Sequence, residues 1–291
     1  MNQFEKNILS IRGNRGQKWP GDLPRTVNEF AQLWHLSSLE PVENLSYNYV
    51  LSGFQEGRPI VLKLSLDSKG LNIEAAALKA FKGHGVVDVI DRADGALLIE
   101  RAIPGYSLKE FFPNCEDEAI AITIEVIKKL HSAPRMNQKG FPTINDWLTA
   151  LDKPYEQLGQ SLIKARLLRD ELLNTMNAPI LLHGDLHHEN ILASGLEWKV
   201  IDPKGVIGEL SYEVGCFIRN PLDVLPNHPD SLKIITNRIN AFSKNLNLDP
   251  DRITKWCFVQ AMLAVAWALE DNVDLISFKH LTEIFGRLIF K

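Results

Sequence analysis

Residues 181–205 read LLHGDLHHENILASGLEWKVIDPKG. The octapeptide HGDLHHEN, residues 183–190, holds three histidines, two carboxylates and an asparagine. Short apolar runs flank it, ILL before and WKVID after, so a polar loop sits between two strand-like pieces. Three readings compete. In the first, His183, Asp185, His187 and His188 form a zinc cradle. Their order puts an acid where a hydrolase wants a histidine, and no second Cys/His set follows to complete three or four ligands. In the second, the loop is an ordinary solvated turn. In the third, Asp185 and Asn190, five positions apart, work with Asp202, twelve further on at the end of a strand-like run. Phosphoryl transfer asks for one carboxylate near the attacking hydroxyl and for oxygen ligands that hold magnesium on the phosphates. Asp185, Asn190 and Asp202 have the right types and order.

The rest of the chain offers an independent check. Lys63 interrupts the apolar run IVLKLSL, and Glu74 lies in the helical stretch NIEAAALKAF that follows. A nucleotide site of this design needs a strand lysine for the phosphates and a helix carboxylate to hold that lysine. Each has a plainer alternative, an exposed strand lysine and a helix acid favoured by the dipole. Four features in the required order are less easily explained that way.

Outward from these motifs the sequence divides in two. Runs VLSGF, PIVLKLSL and ALLIE, with FQEGRP as a hairpin turn, mark a β-rich segment holding one main helix. Helical periodicity dominates after about residue 103, in EDEAIAITIEVIKKLHSA, DSLKIITNRINAFSKNL, DRITKWCFVQAMLAVAWALED and LISFKHLTEIFGRLIF. IPGYS, residues 103–107, reads as the connector. The expectation is an α+β, bilobal protein. Residues 1–102 would form a small lobe that includes a helix at TVNEFAQLW, and residues 103–291 a larger helical lobe. The stretch 134–180 is the least defined and could be an insertion beside the cleft.

Composition narrows the function classes. The chain has 291 residues, 45% hydrophobic and 23% charged, with a net charge of −4. No basic surplus points to nucleic acid. The N-terminus lacks an apolar signal core, and no apolar run approaches the ~18 residues of a membrane span. Cys115, Cys216 and Cys257 are far apart and read as reduced thiols. We therefore expect a cytoplasmic protein, a monomer or weak dimer, with no membrane or nucleic-acid partner.

The stretch LLHGDLHHENIL, WKVIDPKGVIGELSYEVG and RNP at 219–221 resembles the aminoglycoside phosphotransferase superfamily, and within it the streptomycin 6-kinase and hydroxyurea phosphotransferase branch. WPGDLP, IVLKLS and ALLIERAIPGYSL extend the likeness, which spans about residues 19–290. The resemblance implies a protein-kinase-like fold and ATP- and Mg²⁺-dependent phosphorylation of a small-molecule hydroxyl. That hydroxyl would belong to an antibiotic or, alternatively, to a metabolite. Asp185 would orient the acceptor or take its proton. Asn190 and Asp202 would bind Mg²⁺. Lys63, held by Glu74, would meet the α/β-phosphates, and the backbone of Glu100–Ala102 the adenine. In ENLSYNYV, Asn44 and Leu45 stand where the branch carries glycines, and Ser46 would contact phosphate. A nucleotide-binding protein without transfer activity is the outcome this departure leaves open.

Other residues carry weaker expectations. Glu209, Glu270, Asp271 and Asp274 are acids that could hold a cationic substrate, or simply a loop acid and a solvated helix end. Glu213 should brace the 183–190 loop, and His131 should be a hydrogen-bonded structural histidine. His183 should brace the loop and His187 support its backbone, while His188 and Glu189 should face solvent or, alternatively, sit near the substrate entrance. Trp147, Trp256 and Trp267 should be core or cleft walls. Gly184 replaces the arginine of regulated protein kinases, and only a short stretch separates Asp202 from the next helix near Ser211. A phosphorylation switch then has no evident anchor, and a small molecule is the expected substrate.

Overall fold

The computed structural model describes residues 3–43, 45, 47–135, 138–271 and 275–290. It has the expected α+β, two-lobed layout. The chain opens with a kinked helix α1 (Gln3–Leu33), broken at Gly13, whose φ of 52° leaves the helical region. Five strands follow around a helix: β1 (Leu36–Pro41), β2 (Tyr49–Gln55), β3 (Arg58–Leu64), α2 (Ser68–Ala80), β4 (Val89–Ala93) and β5 (Ala96–Glu100). They form an antiparallel sheet in the order β1-β2-β3-β5-β4. The β2–β3 hairpin turns at Glu56 and Gly57, both at positive φ (50° and 81°), the two-residue turn whose twist suits the flanking strands.

Strand alternation then sorts the side chains. On β3, Ile60, Leu62 and Leu64 pack with Phe4, Ile8, Trp19 and Leu23 of α1. Val61 and Lys63 take the opposite face, toward the cleft. Helix α2 starts on an Asp67 cap that accepts the Gly70 N–H at 3.0 Å. Its buried Leu71, Glu74, Ala75 and Leu78 recur at helical spacing. Glu74 is thus a second-turn residue on the core stripe, not the helix-opening acid of the plainer alternative.

The larger lobe contains β6 (Pro104–Ser107), α3 (Glu116–His131), α4 (Ile144–Leu148), α5 (Gly159–Asn174), β7 (Ile180–Leu182), β8 (Ile191–Ser194), β9 (Glu197–Val200), β10 (Val206–Gly208), α6 (Leu210–Ile218), α7 (Ser231–Leu246), α8 (Pro250–Glu270) and α9 (Ile276–Ile289). The expected IPGYS connector is in part a strand, β6, which joins β8 and β9 in the order β6-β8-β9. Strands β7 and β10 pair antiparallel and flank the polar loop. Segment 134–180 supplies α4 and α5. Thr143 and Asp146 form a reciprocal capping box that starts α4. The core of this lobe gathers around α8, where Trp256, Cys257 and Val259 are fully buried. It continues without interruption into Leu71, Leu78, Leu97 and Ile99 of the small lobe. No described helix is long and apolar enough to cross a membrane.

Candidate active site

Three segments converge at the mouth of the cleft. β3 brings Lys63, α2 brings Glu74, and the turn after β9 brings Asp202. Lys63 Nζ lies 2.7 Å from Glu74 Oε2 and 2.5 Å from Asp202 Oδ1. Burial pushes the Lys63 ammonium down, but the Asp202 and Glu74 charges outweigh it and hold the group above its ordinary value. Burial also acts on Asp202, upward, yet Lys63 and Lys204 keep its carboxyl far below the usual range. Glu74 is raised by burial against the opposing pull of Lys63. Asp202 sits at φ 58°, a left-handed conformation that costs a non-glycine residue about 1–2 kcal/mol. The ion pairs and the following turn hold it there.

The polar loop is fixed from beneath. Glu213 on α6 accepts the N–H of His183 at 2.7 Å and that of Gly184 at 3.0 Å. His183 is fully buried; its Nδ1 accepts the Asp185 N–H (3.2 Å) and its Nε2 faces the Ile201 carbonyl (2.8 Å). Burial lowers its pKa, so a neutral ring with the proton on Nε2 links the loop to the turn that carries Asp202. Gly184 has φ 81°, and a Cβ there would meet Val206 Cγ1 at 2.8 Å and Trp147 at 3.0 Å. No side chain fits, whatever its charge, which is the physical reason for glycine before Asp185. His131 ends α3 with Nε2 3.6 Å from Glu213 Oε2, an ion-pair distance; no hydrogen bond reaches that nitrogen.

Asp185 itself points into the cleft. Burial raises its carboxyl, but His187, Lys204 and Arg219 together bring it below its ordinary value. The Cys216 thiol donates to Asp185 Oδ1 at 3.2 Å. Burial pushes that thiol far up, so it is a proton-bearing donor. Asn190 Nδ2 donates to the Asp185 carbonyl (2.8 Å), which leaves Oδ1 as the free end of the amide, in the cavity Asp202 also lines.

Two cavities meet at Asn48, Glu74 and Asp202. One, of about 390 Å³, is walled by Val50, Val61, Ile99, Ala102, Leu192 and Ile201, with Lys63 at its inner end. The Ala102 N–H just beyond β5 has no protein acceptor among the described residues. Glu100 lines the same cavity, but its carboxylate is held by Lys199 (2.7 and 2.8 Å) and by the Asp88 N–H (3.0 Å). The other cavity, of about 530 Å³, is walled by Asp185, Lys204, Trp147, Tyr212, Arg219 and Trp267. Trp256, by contrast, is in the core.

The donor set bears on which metal chemistry the site could hold. A carboxylate and an amide oxygen are hard ligands that suit Mg²⁺ and leave positions for phosphate oxygens. Among the described residues, no group of three or more His, Cys, Asp or Glu is placed to hold a metal by itself. The zinc cradle has no geometry to support it: both nitrogens of His183 are engaged, and His188 is fully buried. That burial corrects the expectation of a solvent-facing His188. Its ring stacks on Phe217 (3.9 Å between centroids, 16°), and its Nε2 faces Arg238 Nη2 at 3.2 Å. Glu189 does face solvent, paired with Lys109 at 3.0 Å.

The acids expected near a substrate scatter. Glu209 is clasped by Arg252 (2.6 and 2.9 Å) and by the indole N–H of Trp256, outside the cavity lining. Glu270 pairs with Lys153 at 2.9 Å and accepts the Tyr155 hydroxyl. Asp271 is felt at the cavity: after burial, its charge is what raises the Tyr47 hydroxyl, a lining residue. Asp274, Asn44 and Ser46 lie outside the described residues; Leu45 lines the nucleotide-sized cavity. Sequence reasoning gave no role to Lys204 or Arg219. Both stand in stretches quoted above, IDPKG and RNP, but only the folded chain brings them to Asp185.

Comparisons with known proteins bear on the family and the fold. A family model described as aminoglycoside/hydroxyurea antibiotic resistance kinase matches residues 33–272. A streptomycin 6-kinase of Streptomyces glaucescens is 25% identical over 272 residues, covering 89% of this chain and 87% of that protein. A solved aminoglycoside phosphotransferase superposes with a TM-score of 0.70 at 14% identity, covering 92% of this chain and 98% of that one. An amicoumacin kinase solved with AMP-PNP and Ca²⁺ gives 0.66 at 17% identity, covering 94% and 96%. At such identities the solved structures establish the protein-kinase-like fold.

Proposed function

Because the chain belongs to the aminoglycoside/hydroxyurea antibiotic resistance kinase family and is thus a small-molecule kinase, we propose that it transfers the γ-phosphoryl group of ATP, with Mg²⁺, to a hydroxyl held beside Asp185. The observation that carries this is the meeting of two cavities at Asp202. The apolar one suits a purine, with the Ala102 N–H as its unpaired donor. Lys63 would bind the α/β-phosphates, and Asn190 and Asp202 would hold the metal, which neutralises phosphate charge when bound. Asp185, on the other side, would orient the acceptor hydroxyl and receive its proton. Its lowered pKa keeps it ionised at neutral pH, as a hydrogen-bond acceptor must be. Catalysis then comes from positioning and charge neutralisation, without a covalent intermediate.

For the acceptor, the streptomycin 6-kinase likeness favours an aminocyclitol antibiotic, and the family description adds hydroxyurea. A second reading, a smaller and less cationic metabolite, is favoured by the acceptor-side wall. Its aromatic and cationic members include Tyr47, Trp147, Trp267, Tyr212, Lys204 and Arg219, whereas Glu209 and Glu270 are paired elsewhere. ADP release measured with streptomycin, hydroxyurea and a panel of hydroxylated metabolites tests both. Transfer to streptomycin or hydroxyurea supports the antibiotic reading. Turnover confined to metabolites supports the second, and ATP binding without transfer to any of them contradicts the kinase assignment.

A further inference from the structure

Lys204 lies between the two functional carboxylates. Its Nζ is 2.8 Å from Asp202 Oδ2 and 3.9 Å from Asp185 Oδ2. Lys63 holds the other oxygen of Asp202 at 2.5 Å. Both oxygens of the carboxylate assigned above to the metal are therefore covered by ammonium groups. The backbone fixes where the Lys204 stem begins. The N–H groups of Lys204 and Gly205 both donate to the His183 carbonyl, at 2.8 and 3.2 Å. A Cβ at Gly205 would come within 3.0 Å of Phe141 and 3.1 Å of Ala77. The stem is thus anchored to the loop that carries Asp185, in a turn packed against α2.

A phosphoryl group passing from nucleotide to acceptor must cross the gap between Asp202 and Asp185, which is where this ammonium sits. Were Asp202 to hold a metal, Lys204 would lose its nearest partner, and its four-carbon stem would leave it within reach of the same gap. Arg219, the other cation on that wall, lies on the Cys216 side, its Nη2 3.1 Å from Sγ, and no ion pair joins it to Asp202 among the described residues.

We propose that Lys204 is a catalytic residue with two successive partners. It neutralises the Asp185–Asp202 pair while no nucleotide is bound, and donates to a non-bridging oxygen of the γ-phosphoryl group once ATP is in place. The proposal rests on the ATP reading above. In the transfer, the acceptor oxygen bonds to the γ-phosphorus as the bond to the β,γ-bridging oxygen breaks. ADP leaves with that electron pair, and the hydroxyl proton passes to Asp185. Lys204 neutralises charge on the equatorial oxygens throughout, from a position fixed in advance.

Nucleotide selectivity tests this without knowing the acceptor, because ADP lacks the phosphoryl group that Lys204 is said to touch. ATP and ADP, each with Mg²⁺, are titrated into the full-length wild type, K204M and K204R. Loss of a charge-assisted hydrogen bond should lower the ATP-to-ADP affinity ratio of K204M by roughly tenfold. K204R, which keeps the charge, should recover most of the ratio. An unchanged ratio in K204M, or one that falls as far in K204R, overturns the proposal. A wild type that binds neither nucleotide overturns the ATP reading and this inference with it; a wild type that binds both, with K204M unaltered in ratio, overturns the inference alone. Lys63 still neutralises Asp202 in both variants, and coincident circular dichroism spectra establish that the comparison is between folded proteins.

Discussion

Lys63 Nζ lies 2.5 Å from Asp202 Oδ1, a contact between residues 139 positions apart that ties the central strand of the small lobe to the turn after β9. The same ammonium holds Glu74 at 2.7 Å; the Lys63 and Glu74 side chains are buried, while Asp202 is half-buried and open to the cleft. A buried ion pair is weak evidence of net stabilisation, but removing one member leaves the others uncompensated.

Lys63→Met is therefore expected to lower unfolding free energy by about 3 kcal/mol, read by urea titration at neutral pH. Adding Glu74→Gln should restore part of that loss, since the stranded carboxylate is gone, while ATP affinity stays low. A double variant no more stable than K63M would show that Glu74 is not the group left unpaired.

Glu213 gives a second prediction. Among the described residues it is the sole acceptor for two loop N–H groups, those of His183 and Gly184, and its side chain is fully buried. Glu213→Ala strands both donors and should cost about 2–4 kcal/mol. Glu213→Gln keeps one carbonyl oxygen and should cost less. Turnover in E213Q should fall more than ATP affinity, because the loop it braces carries Asp185 and not the purine cavity. Equal losses of both would place Glu213 in general folding only.

The pH dependence of stability should report the clamp between Glu100 on β5 and Lys199 on β9. Burial raises the Glu100 carboxyl, but the Lys199 and Asp88 hydrogen bonds outweigh it, so its folded pKa lies below the ordinary value. A depressed carboxylate contributes stability in full above its unfolded pKa of about 4.3 and loses it as pH falls through the lower folded value. The melting temperature of the wild type should exceed that of Glu100→Gln at pH 7, with the gap closing below about pH 4. A gap independent of pH between 7 and 3 would contradict the assignment.

How far the sequence carried these conclusions depended on where each interaction partner lies in the chain. Asp185, Asn190 and Asp202 were legible because they share one 25-residue stretch, quoted above, with strand-like runs around it. Lys63 and Glu74 were legible from an apolar strand and the helix after it. The helices α3, α7, α8 and α9 followed from periodicity. Strands β1, β4, β8 and β10 were not, because they are 3–6 residues long with weak alternation, and pairing defines them. His188 looked solvated in a polar octapeptide, yet its burial is set by Arg238 and Phe217, far along the chain. Glu209 looked available until Arg252, 43 residues away, engaged it. Lys204 stood in plain view, but its meaning required two carboxylates to converge on it.

The central claim is that Asp185 acts on the acceptor hydroxyl and not on the nucleotide. Turnover and ATP affinity of Asp185→Asn, measured side by side on an acceptor found by the ADP-release screen, test it most directly. The account predicts that turnover falls by at least about 100-fold while ATP affinity stays within about threefold of wild type. Near-normal turnover in D185N would contradict it.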